Sequence, residues 1–397
     1  MTLFIASELV SKPEHKWSQT EEAMLATLAL SDEYQQVPEK SPLITFGQAL
    51  FFDKGLSING QVACASCHQP ALFFTDGEPL ATNGLLPTPR HTPSVALLND
   101  ADFLFWDGRK DSLWAQALEP LESLLEHGAS RTFYLHYIKR NYPETYQAVF
   151  ADEVSLAIAD ELPAQASPVA YQDWQTNWQQ MTDRQQQAVN QVFSNLGKAL
   201  AAYQNSIKLK PSKFDLYVHS LKGDSDTKIL DEHEINGLKL FISEKTQCTH
   251  CHNGAALTNH TFQATAVPKS NNDLGRINAI NQLDNDIFNC YGQFSNKDNC
   301  FHLDYLKREG IDLIKAFKVP TLRNIAKTTP YMHKGQFAQL NQVLDYYNKA
   351  NRPIQEHSEI VPLGLYPYQL KQLEAFLLTL SSDYANDDSW FTPLDLP

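Results

Sequence analysis

Apolar and polar positions along this chain recur mostly at the period of a helix. Thr182-Asp183-Arg184-Gln185 reads as a capping box, and Val189, Val192, Phe193, Leu196, Leu200 and Tyr203 then share one helical face. Ser18-Gln19-Thr20-Glu21 is a second capping box, ahead of Ala23, Met24, Leu25 and Leu28. Two more amphipathic helices are predicted to end in Gly47-Gln48-Ala49-Leu50-Phe51 and Gly237-Leu238-Lys239-Leu240-Phe241. Strand-like alternation is scarce and there are 21 prolines, so the pattern predicts a mostly α chain with little room for sheet. Phe193 and Tyr203 read as core. The Pro- and Gln-rich stretch 157–181 reads as a surface excursion, and the Asn-rich region 268–300 as a long loop.

The pattern repeats. Thr92-Pro93-Ser94-Val95 resembles Val319-Pro320-Thr321-Leu322, and Trp106-Asp107-Gly108 lines up with His333-Lys334-Gly335. Pro93 to Gly108 and Pro320 to Gly335 are both 15 positions, which predicts a duplicated domain instead of a solenoid. The division expected is an N-terminal arm 1–40, a first domain 41–215 and a second 216–397, with the linker near 207–230.

Composition narrows the function class. The chain has 397 residues, 43% hydrophobic, enough for two domains. Its formal charge of -14 argues against nucleic acid, which wants a basic surface. No apolar run approaches the length of a membrane span. The start, Met1-Thr2-Leu3-Phe4-Ile5-Ala6-Ser7-Glu8, lacks the basic region of a signal peptide.

The cysteines carry the chemistry. Cys64-Ala65-Ser66-Cys67-His68 and Cys248-Thr249-His250-Cys251-His252 are two copies of Cys-x-x-Cys-His, which reads as c-type haem attachment. The thiols add to the porphyrin vinyl groups and His68 and His252 become the proximal iron ligands. A zinc ribbon would separate its pairs by roughly 15–20 residues, and would leave the histidines unexplained. Two covalent c-type haems on two cytochrome c-like domains are therefore expected. Such attachment is completed in the periplasm, so an export signal already removed is the expectation. In that compartment Cys290 and Cys300 are expected to form a local disulfide, the alternative being two free thiols. His250 is expected to face solvent.

The sixth iron position decides what each haem does. Counting 27 positions from Pro93 and from Pro320 reaches Pro120 and Tyr347. Proline offers no ligand, whereas tyrosinate is a hard anion, so one open and one closed haem are expected.

The run Phe105-Trp106-Asp107-Gly108-Arg109 through Gln116, Ala117, Leu118 and Pro120 resembles bacterial diheme cytochrome c peroxidases and MauG. So does Phe317-Lys318-Val319-Pro320-Thr321-Leu322-Arg323-Asn324, continuing to Pro330-Tyr331-Met332-His333. The resemblance implies that Trp106 relays electrons between the haems and that Glu126 is the distal carboxylate, with Gln116 and Pro120 beside it. It assigns Arg323 to the haem-binding set. It implies Tyr347 as the ligand of the second haem, as in MauG, with Tyr346 and Met332 as the competing choices. It places Thr328 and Pro330 at the carbonyls that hold a calcium ion, but sets His91 where the family has asparagine. No histidine is left to cap the first haem at rest, again as in MauG. Asp111 to Leu118 and Leu125-Glu126-His127-Gly128 also resemble MauG-like proteins encoded beside copper-binding partners.

The activity this implies is peroxide-dependent: hydrogen peroxide reacts at the first haem, a high-valent diheme state forms, and aromatic residues of a partner protein, tryptophan above all, are oxidised at a distance. One alternative is a peroxidase fed by a small cytochrome or copper protein. The other is a non-enzymatic electron-transfer cytochrome.

Overall fold

The computed structural model describes residues 17–150, 154–222, 228–270, 272–297, 299–350 and 357–396. The first residues, which lack the basic region of a signal peptide, lie outside them. The described chain is mostly helical, with one antiparallel pair of short strands, Phe262–Ala264 and Ala316–Lys318, in which Phe262 faces Lys318. None of its helices is long and apolar enough to cross a membrane.

Both capping boxes form. Ser18 and Thr182 accept from the backbone of Glu21 and Gln185, whose side chains return the bond. The helix Asp183–Asn205 buries Val189, Val192, Phe193, Leu196, Leu200 and Tyr203. It is the spine of a large core that also takes Phe46, Leu50, Leu118, Leu121 and Tyr134. A separate core gathers Phe214, Leu238, Phe241, Leu373 and Phe376.

Each core contains a close helix crossing that only glycine allows. A Cβ on Gly47, in helix Pro42–Phe52, would stand 1.9 Å from the Ala199 carbonyl. A Cβ on Gly237, in helix Glu232–Phe241, would stand 1.9 Å from that of Gln372, in helix Pro367–Leu378. The chain ends cross over. Trp17, Leu25 and Leu28 pack into the core built mostly from the second half, and Trp390 into that of the first. Trp17 donates to the Tyr217 hydroxyl at 2.7 Å, and Tyr203 donates to the Trp390 carbonyl at 2.7 Å.

The stretch 157–181 lies at the surface and holds a helix, Gln172–Gln180, whose Trp178 is buried. One loop expectation is corrected. The region 268–300 holds the helix Arg276–Asp284. Arg276 is buried between the rings of Phe103 and Phe262, 4.2 Å from each, and donates to the carbonyls of Asp107 and Gly108. Cys290 and Cys300 are disulfide-bonded.

Candidate active site

The two Cys-x-x-Cys-His motifs adopt the same local form. Each is a four-residue helix, Cys64–Cys67 or Cys248–Cys251, with its histidine as C-cap. All four cysteines are free thiols. The Nδ1 of His68 lies 3.0 Å from the Phe74 carbonyl, and that of His252 lies 3.1 Å from the Leu257 carbonyl. A carbonyl can only accept, so Nδ1 carries the proton and Nε2 keeps a lone pair for a metal. Burial reinforces this neutral form, pushing His68 below its ordinary value and His252 down to about 4. Two thiols and one oriented imidazole per motif are the donor set that a c-type haem needs. His250, between them, is exposed.

A cavity of about 750 Å³ opens from the first motif. Cys67, His68, His91, Trp106, Gln116, Pro120 and Glu126 line it, and it continues to Lys318, Pro320, Arg323, Thr328 and Pro330. Its walls hold cationic or donor groups that the protein leaves unanswered. The Lys318 amine is desolvated and pushed down to about 7, with no ion pair among the described residues. The buried Nδ1 of His260 has no hydrogen-bond partner. Such a wall suits a large apolar group bearing carboxylates, which a haem is. The sequence reading missed both residues, although a lysine inside the apolar run Phe317–Pro320 was a visible anomaly.

Gln116 and Pro120 sit on helix Leu113–Glu122, and Glu126 follows in the next turn. Desolvation pushes the Glu126 carboxyl above the usual range, against a weaker opposing bond from Ser123. It therefore holds a proton more readily than a surface carboxylate. Trp106 is fixed at both ends. Its indole donates to the His91 carbonyl at 2.9 Å, and its own carbonyl accepts from Lys318 N–H at 2.7 Å. The next residue, Asp107, is paired with Arg90 and Arg109.

Tyr347 lies outside this cavity, on helix Leu340–Lys349, packed against the second core and within electrostatic reach of Cys248 and Cys251. Its hydroxyl is desolvated, which raises its pKa. Tyr346 instead donates its hydroxyl to the carbonyls of Thr265 and Ala266, at 2.6 and 2.7 Å. Pro120 and Tyr347 each fall eight residues after their helix N-cap, Ser112 and Gln339.

Two of the expected residues have protein partners of their own. Arg323 borders the cavity, but its fork is spent on protein. It holds Asp215 at 2.8 and 2.9 Å, the Leu28 carbonyl at 2.8 Å and the Ala255 carbonyl at 2.9 Å. Through Ala255 these bonds brace the segment that follows the second attachment motif. His91 points Nδ1 at the Glu78 carbonyl, 2.7 Å away. Calcium takes oxygen ligands: the carbonyls of Thr328 and Pro330 could supply them, whereas the His91 imidazole could not, so no step is derived through that ion.

Known proteins agree with this arrangement. Residues 41–225 match the family described as Di-haem cytochrome c peroxidase. The methylamine utilization protein MauG of Methylorubrum extorquens is 29% identical over 354 residues, 88% of this chain and 82% of that one. The cytochrome-c peroxidase IdrP1 of a Pseudomonas species is 26% identical, over 88% of this chain and 84% of its own. Among solved structures, a MauG-like protein associated with microbial copper homeostasis superposes with a TM-score of 0.58 at 24% identity, over 95% of this chain and 99% of that one, which shows a shared fold. Both attachment motifs are thus formed and the cavity opens from the first; the first half of the chain matches the di-haem cytochrome c peroxidase family, and MauG and cytochrome-c peroxidases, which are oxidoreductases, are similar to it along most of its length.

Proposed function

We propose that this chain is a MauG-like oxidoreductase that uses hydrogen peroxide to oxidise aromatic residues, tryptophan above all, of a partner protein. The observation that carries the reading is that one cavity joins His68, the desolvated Glu126 and Trp106 to the wall of the second half. Cys64, Cys67 and His68 would hold one haem, and Cys248, Cys251, His252 and Tyr347 the other. When bound, these groups supply the electron-transfer chemistry that peroxide reduction requires.

The protein's own side chains do the rest. Pro120 offers no ligand, which leaves room for peroxide beside Gln116 and Glu126. Glu126 takes the proton from the near peroxide oxygen and delivers it to the far one, so that water leaves. Such general acid–base work contributes roughly 10²–10⁴ in rate. Trp106 passes electrons toward the first site. Its indole hydrogen bond ends on a carbonyl, which takes no proton, so the indole keeps N–H while it relays. Tyr347, in place of a methionine, gives the second site an anionic ligand that favours oxidised states over acceptance of electrons from ordinary donors.

The matched glycine crossings, the histidine–carbonyl bonds and the equal placement of Pro120 and Tyr347 support an internal duplication, with domains 41–215 and 216–397 after an arm 1–40. We place the protein in the periplasm, where c-type haems are attached. The copper association of the structural relative makes a copper-binding protein the first partner to try.

The test is Glu126→Gln together with Tyr347→Met in the matured protein. Glu126→Gln should keep two haems by pyridine haemochrome assay and slow the peroxide reaction by about 10²-fold or more. Tyr347→Met should raise the second haem's reduction potential and abolish partner oxidation while peroxide still reacts. Unchanged peroxide kinetics in Glu126→Gln would remove the carboxylate from the mechanism. An unchanged potential in Tyr347→Met would remove the tyrosine and return the chain to the ordinary peroxidases.

A further inference from the structure

The disulfide lies against two residues that the mechanism does not use. Asp111, five positions after Trp106, is 1% exposed, and His302 is 8% exposed. The Asp111 Oδ2 accepts from Cys290 N–H at 2.6 Å and lies 3.4 Å from His302 Nε2. Its Oδ1 is buried with no hydrogen-bond partner. That costs free energy in a site with no other role, roughly 1–3 kcal/mol for an unsatisfied buried group. An oxygen of Asp111, the Cys290 sulfur and a His302 nitrogen all lie within 4.8 Å of one another, and Cys300 is bonded to that sulfur. A surface opening lined by Asp102, Asn299 and His302 reaches the histidine of the cluster.

We propose that Asp111, Cys290, Cys300 and His302 form a redox-gated site for a thiophilic d¹⁰ cation such as Zn²⁺, closed while the disulfide is intact. A disulfide sulfur is a poor ligand; thiolate is the binding form. Exchange with a dithiol breaks the Cys290–Cys300 bond, leaving two protein thiols and the reductant's own disulfide. Cation binding then displaces the two thiol protons. The resulting set of two sulfurs, one imidazole nitrogen and one carboxylate oxygen is a four-coordinate set of the kind zinc takes. Cys300 and His302 move together, because Cys300 is the N-cap of the short helix Phe301–Asp304 that carries His302. Peroxide reverses the gate: two thiolates, one hydrogen peroxide and two protons give the disulfide, two waters and a released cation. The site stands independently of the function proposed above.

The test uses the matured protein, in which haem occupies Cys64, Cys67, Cys248 and Cys251, so that the only reducible pair is Cys290–Cys300. The protein is reduced with a phosphine, freed of reductant and dialysed against Zn²⁺. Zinc is counted against iron by mass spectrometry, and its ligands are read at the zinc X-ray absorption edge. The expected result is one zinc per chain beyond the oxidised control, with sulfur and nitrogen or oxygen in its shell, and its release by peroxide. Cys290→Ser/Cys300→Ser should abolish this zinc. Asp111→Asn and His302→Gln should each weaken it at least about tenfold, or about 1.4 kcal/mol. No zinc above the oxidised control, or a shell without sulfur, would overturn the proposal. So would affinities unchanged in both Asp111→Asn and His302→Gln. The absorption measurement needs no variant and decides the matter if a substitution prevents folding.

Discussion

Arg323→Met tests whether the arginine braces the second site or belongs to its cofactor set. The Arg323 and Asp215 side chains are 1% and 0% exposed. Asp215 keeps the Leu30 N–H at 2.8 Å and the Ser212 N–H and hydroxyl at 2.7 and 2.6 Å, but loses its cation. Removing one member of a buried pair costs roughly 3–5 kcal/mol. The carbonyls of Leu28 and Ala255 also lose a donor, at about 1–3 kcal/mol for each that finds no water. Burial of the methionine returns about 1.5–3 kcal/mol. The net expectation is a loss of about 4 kcal/mol, read as a lower urea midpoint at unchanged slope. Asp215→Leu added to Arg323→Met should recover much of it, because an apolar pair leaves no stranded charge. Ala255 lies between His252 and Leu257, so the second haem's spectrum should change while the first haem's does not. A loss below about 1 kcal/mol, or equal disturbance of both haems, would refute the bracing role.

The same geometry sets three further outcomes. Desolvation lifts Glu126 above its ordinary 4.5, so its carboxylate is lost on acidification earlier than a surface glutamate's; the acid limb of the peroxide reaction should lie above pH 4.5 and vanish in Glu126→Gln. Gly237→Ala drives a Cβ to 1.9 Å from the Gln372 carbonyl, so at least about 1–3 kcal/mol of stability should be lost, measured by denaturant titration. Trp106→Phe removes the 2.9 Å bond to the His91 carbonyl, and partner oxidation should fall while stopped-flow reaction with peroxide persists; equal loss of both would contradict the relay.

What the sequence made legible is what is local. The capping boxes at Ser18 and Thr182 use donors three residues away, and the stripe from Val189 to Tyr203 needs only the helical period. Cys-x-x-Cys-His is likewise a motif of five neighbours. The misses depend on distant partners. Helix Gln172–Gln180 has little apolar content and is anchored by one buried tryptophan. Arg276 reads as a surface residue until the carbonyls of Asp107 and Gly108, far away in sequence, are seen to receive it. Arg323 lay within a run that resembled the family, which marked its importance but not its partners. Its four acceptors come from three separate segments. The crossing of the chain ends, with Trp17 on Tyr217 and Tyr203 on Trp390, left no periodic trace.

The investment of these long-range contacts bears on function. Around Trp106, the carbonyls of Trp106, Asp107 and Gly108 accept from Lys318 N–H and Arg276, the indole N–H is held by His91, and the Asp107 carboxylate is held by Arg90 and Arg109. Arg90 also pairs with Asp273 at 2.8 Å, which ties this turn to the segment leading into helix Arg276–Asp284. A side chain that took up and released a substrate would need slack in its backbone. One that only passes electrons gains from immobility, because fixed dipoles and packing cost no reorganisation when charge moves. In the proposed function the rigid turn at Trp106 and the desolvated carboxyl at Glu126 would divide the work. Proton transfer would stay at the peroxide end of the cavity, and electrons would pass from the second half toward the first site without carrying protons with them. A substrate oxidised through such a relay need not enter the cavity, which is why a protein surface is a suitable partner for it.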